Sequence, residues 1–345
     1  MGPIIRDTPA ALVENGRIHC GFFRRPFETV NLLDAPNMGG LPGRPVRWFR
    51  LKEWIGFGVS HPRLFGAFFI QNARYAASGI VYLYDRKTGR KYEWPMVDLP
   101  VRARLAGTLW NSRSRCGLGD SEIVFDHNLS RSIHHVRARC GAGRGEPSLD
   151  ADLVFHQNLQ TTDPLVVSLP IPPDHHTYTH KSPLHIDGLV SIGDEEFVFD
   201  RARDMGNLDE QKTFYPYRSH WFWGSFAGRS EKGREVMVNF VDQMTARGEP
   251  AEDAMWVDGR LMLMDPVDFI AGAGHGQFRL EDRAGRVRLR FAAEGSKAEK
   301  RDYLLVAMDY EQFFGRYNGV VVDDTGTTHE IRSVFGALER MKARF

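Results

Sequence analysis

The densest gathering of reactive side chains lies in the run DMGNLDEQKTFYPYRSHWFWGSFAG, residues 204–228. Asp209, Glu210, Tyr215, Tyr217, Arg218, His220, Trp221 and Trp223 fall within fifteen positions of it. A carboxylic acid beside aromatic faces can protonate an apolar, alkene-bearing molecule and stabilise the resulting cation by cation–π attraction. Asp209 is the candidate acid, because burial can keep a carboxyl protonated near neutral pH. His220 or Arg218 would orient the acid or a water molecule. Tyr217, Trp221 and Trp223 would form the substrate wall. In an extended chain Trp221 and Trp223 share one face, and His220 and Phe222 share the other. The same composition also fits an aromatic barrel core with charged residues at a strand end. Spacing alone leaves both readings open.

Other gatherings point less clearly to chemistry. His175, His176, His180 and His185 crowd one segment, and His134 and His135 are adjacent. Neighbouring residues of an extended chain face opposite ways, and no HExxH frame surrounds these histidines, so a metal site is not expected. Cys20, Cys116 and Cys140 form no CxxC pair, which argues against structural zinc. GAGRG (Gly141–Gly145) and GAGHG (Gly272–Gly276) read as loops rather than nucleotide-binding turns, and no GxSxG elbow occurs. No cofactor is therefore expected. Glu339 reads as a surface helix charge, with a pocket carboxylate as the alternative.

The elements that must position these residues are mostly strands. GIVYLYD (Gly79–Asp85) and RKYEW (Arg90–Trp94), joined by turn residues, read as a hairpin. In VRLRF (Val287–Phe291) apolar and basic residues alternate, as in a strand with one wet face. Many further β-rich runs are bounded by Gly, Asn, Asp or Ser. Helix is expected only as short pieces, at YEQFFGRY and, as a closing turn, at FGALERMKARF. This pattern predicts antiparallel sandwiches or barrels, the latter leaving no open edge. The proline-rich segment Ser168–Pro183 is the expected boundary, giving domains of residues 1–180 and 181–345.

The chain has 345 residues and a formal net charge of +1, so no basic field draws it to nucleic acid. Hydrophobic residues make up 42% and aromatic residues 12%, a composition suited to sheets with apolar interiors. No apolar run approaches the roughly 20 residues of a membrane-spanning helix, and the N-terminus lacks the apolar core of a signal peptide. The expectation is a cytoplasmic protein that is not integral to a membrane. The sequence does not set its oligomeric state.

Four stretches together carry a family resemblance: Leu208–Asp209 with YPYRSHWFWGSFAG; KEWIGFGVSHPRLFGAFFIQNARYAA (Lys52–Ala77); YTHK (Tyr178–Lys181) with Gly188; and FGRYNGVVVDDTGTTHEIRSVFGALER (Phe314–Arg340). They resemble a large bacterial family related to carotenoid hydratase (hydroxyneurosporene synthase) and tocopherol cyclase. The resemblance implies an all-β fold of two lipocalin-like antiparallel β-barrel domains packed together, with an apolar pocket. It implies that Asp209 matches the aspartate that protonates an alkene in the hydratases. Those relatives carry an aromatic residue two positions before that aspartate, where this chain has the polar Asn207.

Two function classes follow. The first is a cofactor-independent hydratase, dehydratase, isomerase or cyclase acting on an isoprenoid- or polyketide-like molecule. The second is a carrier for a lipid or other small apolar ligand, since barrels serve equally as containers.

Overall fold

The computed structural model describes residues 3–36, 38, 43–242 and 251–345. It is nearly all β. Its main strands are β1 (Leu51–Ser60), β2 (Leu64–Asn72), β3 (Ala77–Asp85), β4 (Arg90–Asp98), β5 (Ser112–Leu118), β6 (Ser121–Asn128), β7 (Ile133–Cys140), β8 (Leu149–His156), β9 (His175–Ile192) and β10 (Met205–Phe214). They continue as β11 (Arg218–Arg229), β12 (Glu235–Asp242), β13 (Ala254–Val257), β14 (Arg260–Leu263), β15 (Val267–Ala271), β16 (Gln277–Asp282), β17 (Val287–Tyr303), β18 (Val306–Val322) and β19 (Thr328–Arg344). One short helix, α1 (Arg44–Arg50), precedes β1.

Two compact units result. One is built from Ile5–Ser168 and His176–Phe214, the other mainly from Leu169–His175 and Tyr215–Phe345. Residue 180, the boundary expected from the prolines, lies inside β9. That strand hydrogen-bonds to β8 on one side and β10 on the other, so it belongs wholly within a sheet.

In the first unit the strand order is β4-β3-β2-β1-β10-β9-β8-β7-β6-β5. The short strand Ala103–Arg104 pairs with β5 and packs on β2 and β3, so the sheet curls on itself. The expected hairpin is present as β3–β4, with Asp85 opposite Arg90. Inward-facing Phe57, Phe68, Phe125, Leu153, Phe155 and Leu208 fill the interior. Gly188 permits a close approach of β9 to β8. Its φ is +127°, and a Cβ there would lie 2.2 Å from the Asp152 carbonyl oxygen.

In the second unit the order is β14-β13-β12-β11-β19-β18-β17-β16-β15, again curled, with Phe226, Phe240, Phe291 and Leu338 in its core. The VRLRF alternation holds: Val287, Leu289 and Phe291 are buried, and Arg288 and Arg290 are exposed. Both expected helical pieces are strand. YEQFFGRY lies in β18, and all of FGALERMKARF except Phe345 lies in β19. Ala, Leu, Glu, Arg, Met and Lys favour helix by propensity. Here β19 is central and pairs with both β11 and β18, and the two ladders outweigh that preference.

Candidate functional site

Strand register, more than sequence proximity, gathers the polar groups. In the first unit one row crosses four strands. Phe69 of β2 is opposite Gly56 of β1, Gly56 is opposite Asp209 of β10, and Asp209 is opposite Lys181 of β9. The next row places Gln71, Trp54, Gln211 and Thr179 side by side. These residues lie on the sheet face opposite the packed interior, because side chains alternate along a strand and Leu208 belongs to the core.

Asp209 is the centre of this row. Trp54 Nε1 donates to its Oδ1 at 3.3 Å, and Lys181 Nζ donates to its Oδ2 at 2.9 Å. The Asp209 side chain is 18% exposed, and that of Lys181 is 3% exposed. Glycine at 56 leaves room for the Phe69 ring, since a Cβ there would lie 2.4 Å from it. The Phe69 and Trp54 rings stand 6.4 Å apart. The Asn207 side chain lies over Gly58 in the adjoining row. The carboxyl is thus held by two N–H donors and flanked by partly exposed aromatic rings.

The same two strands present a second polar set to the barrel interior. His180 is opposite Glu210, one residue along from Lys181 and Asp209 on each strand. A continuous chain runs from here. His180 Nδ1 stands 3.6 Å from Glu210 Oε2, and His180 Nε2 lies 2.9 Å from Gln157 Nε2. Gln157 Oε1 accepts from His134 Nε2 at 2.9 Å, His134 Nδ1 is 3.2 Å from His127 Nδ1, and His127 Nε2 is 3.0 Å from Ser114 Oγ. All these residues are buried. Burial drives the basicity of His127 well below that of a free imidazole and lowers His134 to about 4. The carboxyl oxygens of Glu210 and the hydroxyl of Tyr178 have no hydrogen-bond partner among the described residues. Burial, then the nearby Glu210, pushes the Tyr178 phenol well up. Further along the interior face, Lys212 donates to Glu53 at 3.0 Å and Arg74 also pairs with Glu53. These two cations overcome the desolvation of Glu53 and hold its carboxyl below the usual range.

The remaining predicted site residues sit in the other unit. Trp221 is buried, and its Nε1 donates to Glu339 Oε1 at 3.0 Å. Tyr310 and Gln312 donate to the other oxygen of Glu339 at 3.1 and 3.2 Å. Glu339 is therefore a half-buried strand residue inside a donor cluster, not a surface helix charge. Trp223 Nε1 donates to Asn239 Oδ1 at 2.8 Å. Trp221 and Trp223 share a face, as expected, while Phe222 packs with Phe269 and Phe278. Tyr217, Arg218 and His220 are exposed, and the Tyr217 hydroxyl donates to the Leu305 carbonyl at 2.8 Å. Asp209 and the tryptophan pair thus belong to different units, each with polar partners in its own.

The boundary histidines disperse. His176 and His180 are buried, while His175 and His185 are partly exposed. His134 faces the interior, and His135 faces outward beside Asp152. Among the described residues, no three His, Cys, Asp or Glu side chains meet as a metal site. No helix among them is long and apolar enough to cross a membrane.

The chain belongs to the family described as Domain of unknown function (DUF2804), which matches residues 5–345. No curated protein matches the sequence. Among solved structures, kievitone hydratase from Nectria haematococca aligns over 85% of this chain and 88% of its own, with TM-score 0.50 and 9% identity. A Nitrosomonas europaea protein provisionally named AttH aligns over 85% of this chain and 93% of its own, with TM-score 0.47 and 14% identity. At such identity the likeness to the hydratase is one of fold.

Proposed function

We propose that this DUF2804 protein is a cofactor-independent hydratase, dehydratase, isomerase or cyclase of an apolar, alkene-bearing molecule, with Asp209 as the proton-transferring group. The observation that carries the reading is the row Phe69–Gly56–Asp209–Lys181, with Trp54 donating to the same carboxyl. In the forward step Asp209 gives its proton to one alkene carbon, leaving a cation on the other. The faces of Trp54 and Phe69 stabilise that cation by about 0.5–2 kcal/mol each. Lys181 and Trp54 hold the carboxylate that forms, through charge-assisted hydrogen bonds. Water then adds to the cation and its surplus proton restores the acid, giving net hydration. Loss of a neighbouring C–H proton instead gives the isomer. The name of the fold-related kievitone hydratase is consistent with hydration chemistry on this architecture. Trp221 and Trp223, which belong to the other unit, have no assigned step in this reading, nor have the exposed Tyr217, Arg218 and His220.

A carrier without chemistry is the competing reading. It is favoured by the Lys181–Asp209 pair, which satisfies both groups as a structural ion pair would. One experiment separates the two. Apolar molecules extracted from the purified protein are identified by mass spectrometry and returned to it in D2O. The enzyme reading expects deuterium on carbon with the native protein and its loss in a folded Asp209→Asn variant. No carbon-bound deuterium with the native protein, or equal uptake by the variant, overturns it.

A further inference from the structure

One end of the first unit carries an unusual surface. The start of β1, the end of β2, the start of β3 and the end of β4 meet there, since Glu53 is opposite Asn72, Asn72 opposite Ala77, and Ala77 opposite Asp98. Helix α1 leads into β1 and the segment after β4 leaves from the same end. Large apolar side chains are exposed here: Val46, Trp48 and Phe49 on the helix, Val97 at the end of β4, and Leu99 and Val101 just after it. Leu99 is 62% exposed and Val101 is 86% exposed. The turn between β2 and β3 ties the pieces together. Arg74 lies 5.0 Å over the Trp48 ring, Phe49 stands 6.2 Å from Tyr75, and Asn72 donates to the Pro100 carbonyl at 3.0 Å.

Charge at this end has one dominant sign. Residues 44–50 and 97–104 contain five arginines (Arg44, Arg47, Arg50, Arg102 and Arg104) and a single acid, Asp98. Asp98 pairs with Arg102, and Asp34 from the preceding segment pairs with Arg44. Lys52 reports the local field. Burial first, then Arg50 and Arg74, lowers its ammonium to about 7, although it donates to the Phe49 and Arg50 carbonyls. Exposed Trp, Phe, Leu and Val interleaved with arginine is the composition of a surface that inserts at a lipid headgroup boundary. Isolated exposed apolar residues need no explanation, but a patch at one end of a barrel does.

We infer that this end of the first unit docks on an anionic bilayer surface, with α1 and residues 97–102 entering the headgroup layer and the arginines facing acidic lipid. The inference does not rest on the proposed chemistry, and its test does not use activity. Flotation of the full chain with vesicles of phosphatidylcholine alone is compared with flotation with vesicles carrying roughly one-third phosphatidylglycerol, where each basic group near the surface adds about 1 kcal/mol. Binding is expected with the acidic vesicles only, and should weaken with salt. Arg47→Glu and the double variant Leu99→Ser/Val101→Ser should each weaken it about tenfold. The serine variant alters only side chains that are already exposed, so unchanged thermal unfolding is expected alongside. Absence of flotation, or flotation equal for both lipids and for both variants, overturns the inference. So does a concentration-dependent dimer that the serine variant abolishes in the absence of lipid binding, because the patch would then face a second copy.

Discussion

The buried histidines make the protein acid-labile well above the range in which carboxylates titrate. His134 and His176 both have basicities lowered to about 4 by burial, against about 6.5 for a free imidazole. Because the folded values lie below the unfolded ones, the unfolded chain takes up protons first as pH falls. Folding stability is then fully present above about pH 6.5 and declines until about pH 4. At pH 5 each of these histidines costs about 2 kcal/mol relative to pH 7, so the pair costs about 4 kcal/mol. His127 adds to the loss in the same direction. The lowered carboxyls of Glu53, Asp85 and Asp126 contribute their own loss only further into acid, because their unfolded values lie near 4. The measurement is urea unfolding of the intact chain at pH 7, 6 and 5 at fixed ionic strength, followed by circular dichroism. Ring-proton NMR of the same histidines should show them neutral at pH 5. Equal stability at pH 7 and pH 5 to within about 1 kcal/mol would refute this reasoning, as would resonances of His134 and His176 that titrate near 6.5.

Four further outcomes are expected. Asp209→Asn should fold and bind ligand yet lose turnover by about 10²–10⁴-fold once a substrate is in hand, the usual contribution of a general acid; a folded variant with full turnover would remove Asp209 from the chemistry. Lys212→Met leaves Glu53 with one cation fewer in the interior and should cost about 3–5 kcal/mol in denaturant unfolding, whereas a cost under about 1 kcal/mol would mark the pair as solvated. Glu210→Gln breaks none of the hydrogen bonds described above and should leave stability within about 1 kcal/mol; a larger loss would show that the carboxyl holds His180 as an ion pair. Reductively methylated Lys52 should titrate near 7 by carbon NMR, and an ordinary value above 10 would contradict its buried, arginine-flanked setting.

Period-two alternation and turn chemistry were enough to read the β-rich fold and the β3–β4 hairpin, because both are local properties of the chain. The misreadings came where a distant partner decided the outcome. The helix-favouring composition of β19 yields to ladders with β11 and β18. The prolines of residues 170–173 do mark a switch between units, but β9 resumes directly after them and stays within its sheet for eighteen residues. Asp209 stood out in the sequence as a carboxyl amid aromatics. Its partners could not be read there, because Trp54 lies 155 residues away and Lys181 lies 28 away, joined only by register. Lys212, nearer in sequence, faces the interior beside Glu53 instead. The interior histidines were visible as types but not as a chain, since His127, His134 and His180 come from three different strands.

The pairing of β9 with β10 also places two acids adjacent in sequence in different surroundings. Residues 180–181 read His-Lys and residues 209–210 read Asp-Glu, and antiparallel register sets Lys181 against Asp209 and His180 against Glu210. Successive side chains on a strand face opposite sides, so one basic–acidic pair is delivered to each face of the same sheet. On one face the carboxyl meets an ammonium and an indole N–H, with 18% of its surface exposed. On the other, the buried carboxyl faces His180 and has no hydrogen-bond partner among the described residues. In the proposed reading the first would exchange a proton with a ligand without opening the barrel, while the second stands beside the buried His180. A one-residue slip of β10 would exchange the faces and place Leu208 and Lys212 on the wrong sides as well. The core packing that fixes this register is therefore also what fixes Asp209 as the accessible acid. Mutations of interior residues such as Leu208 would then impair the outer face without touching it.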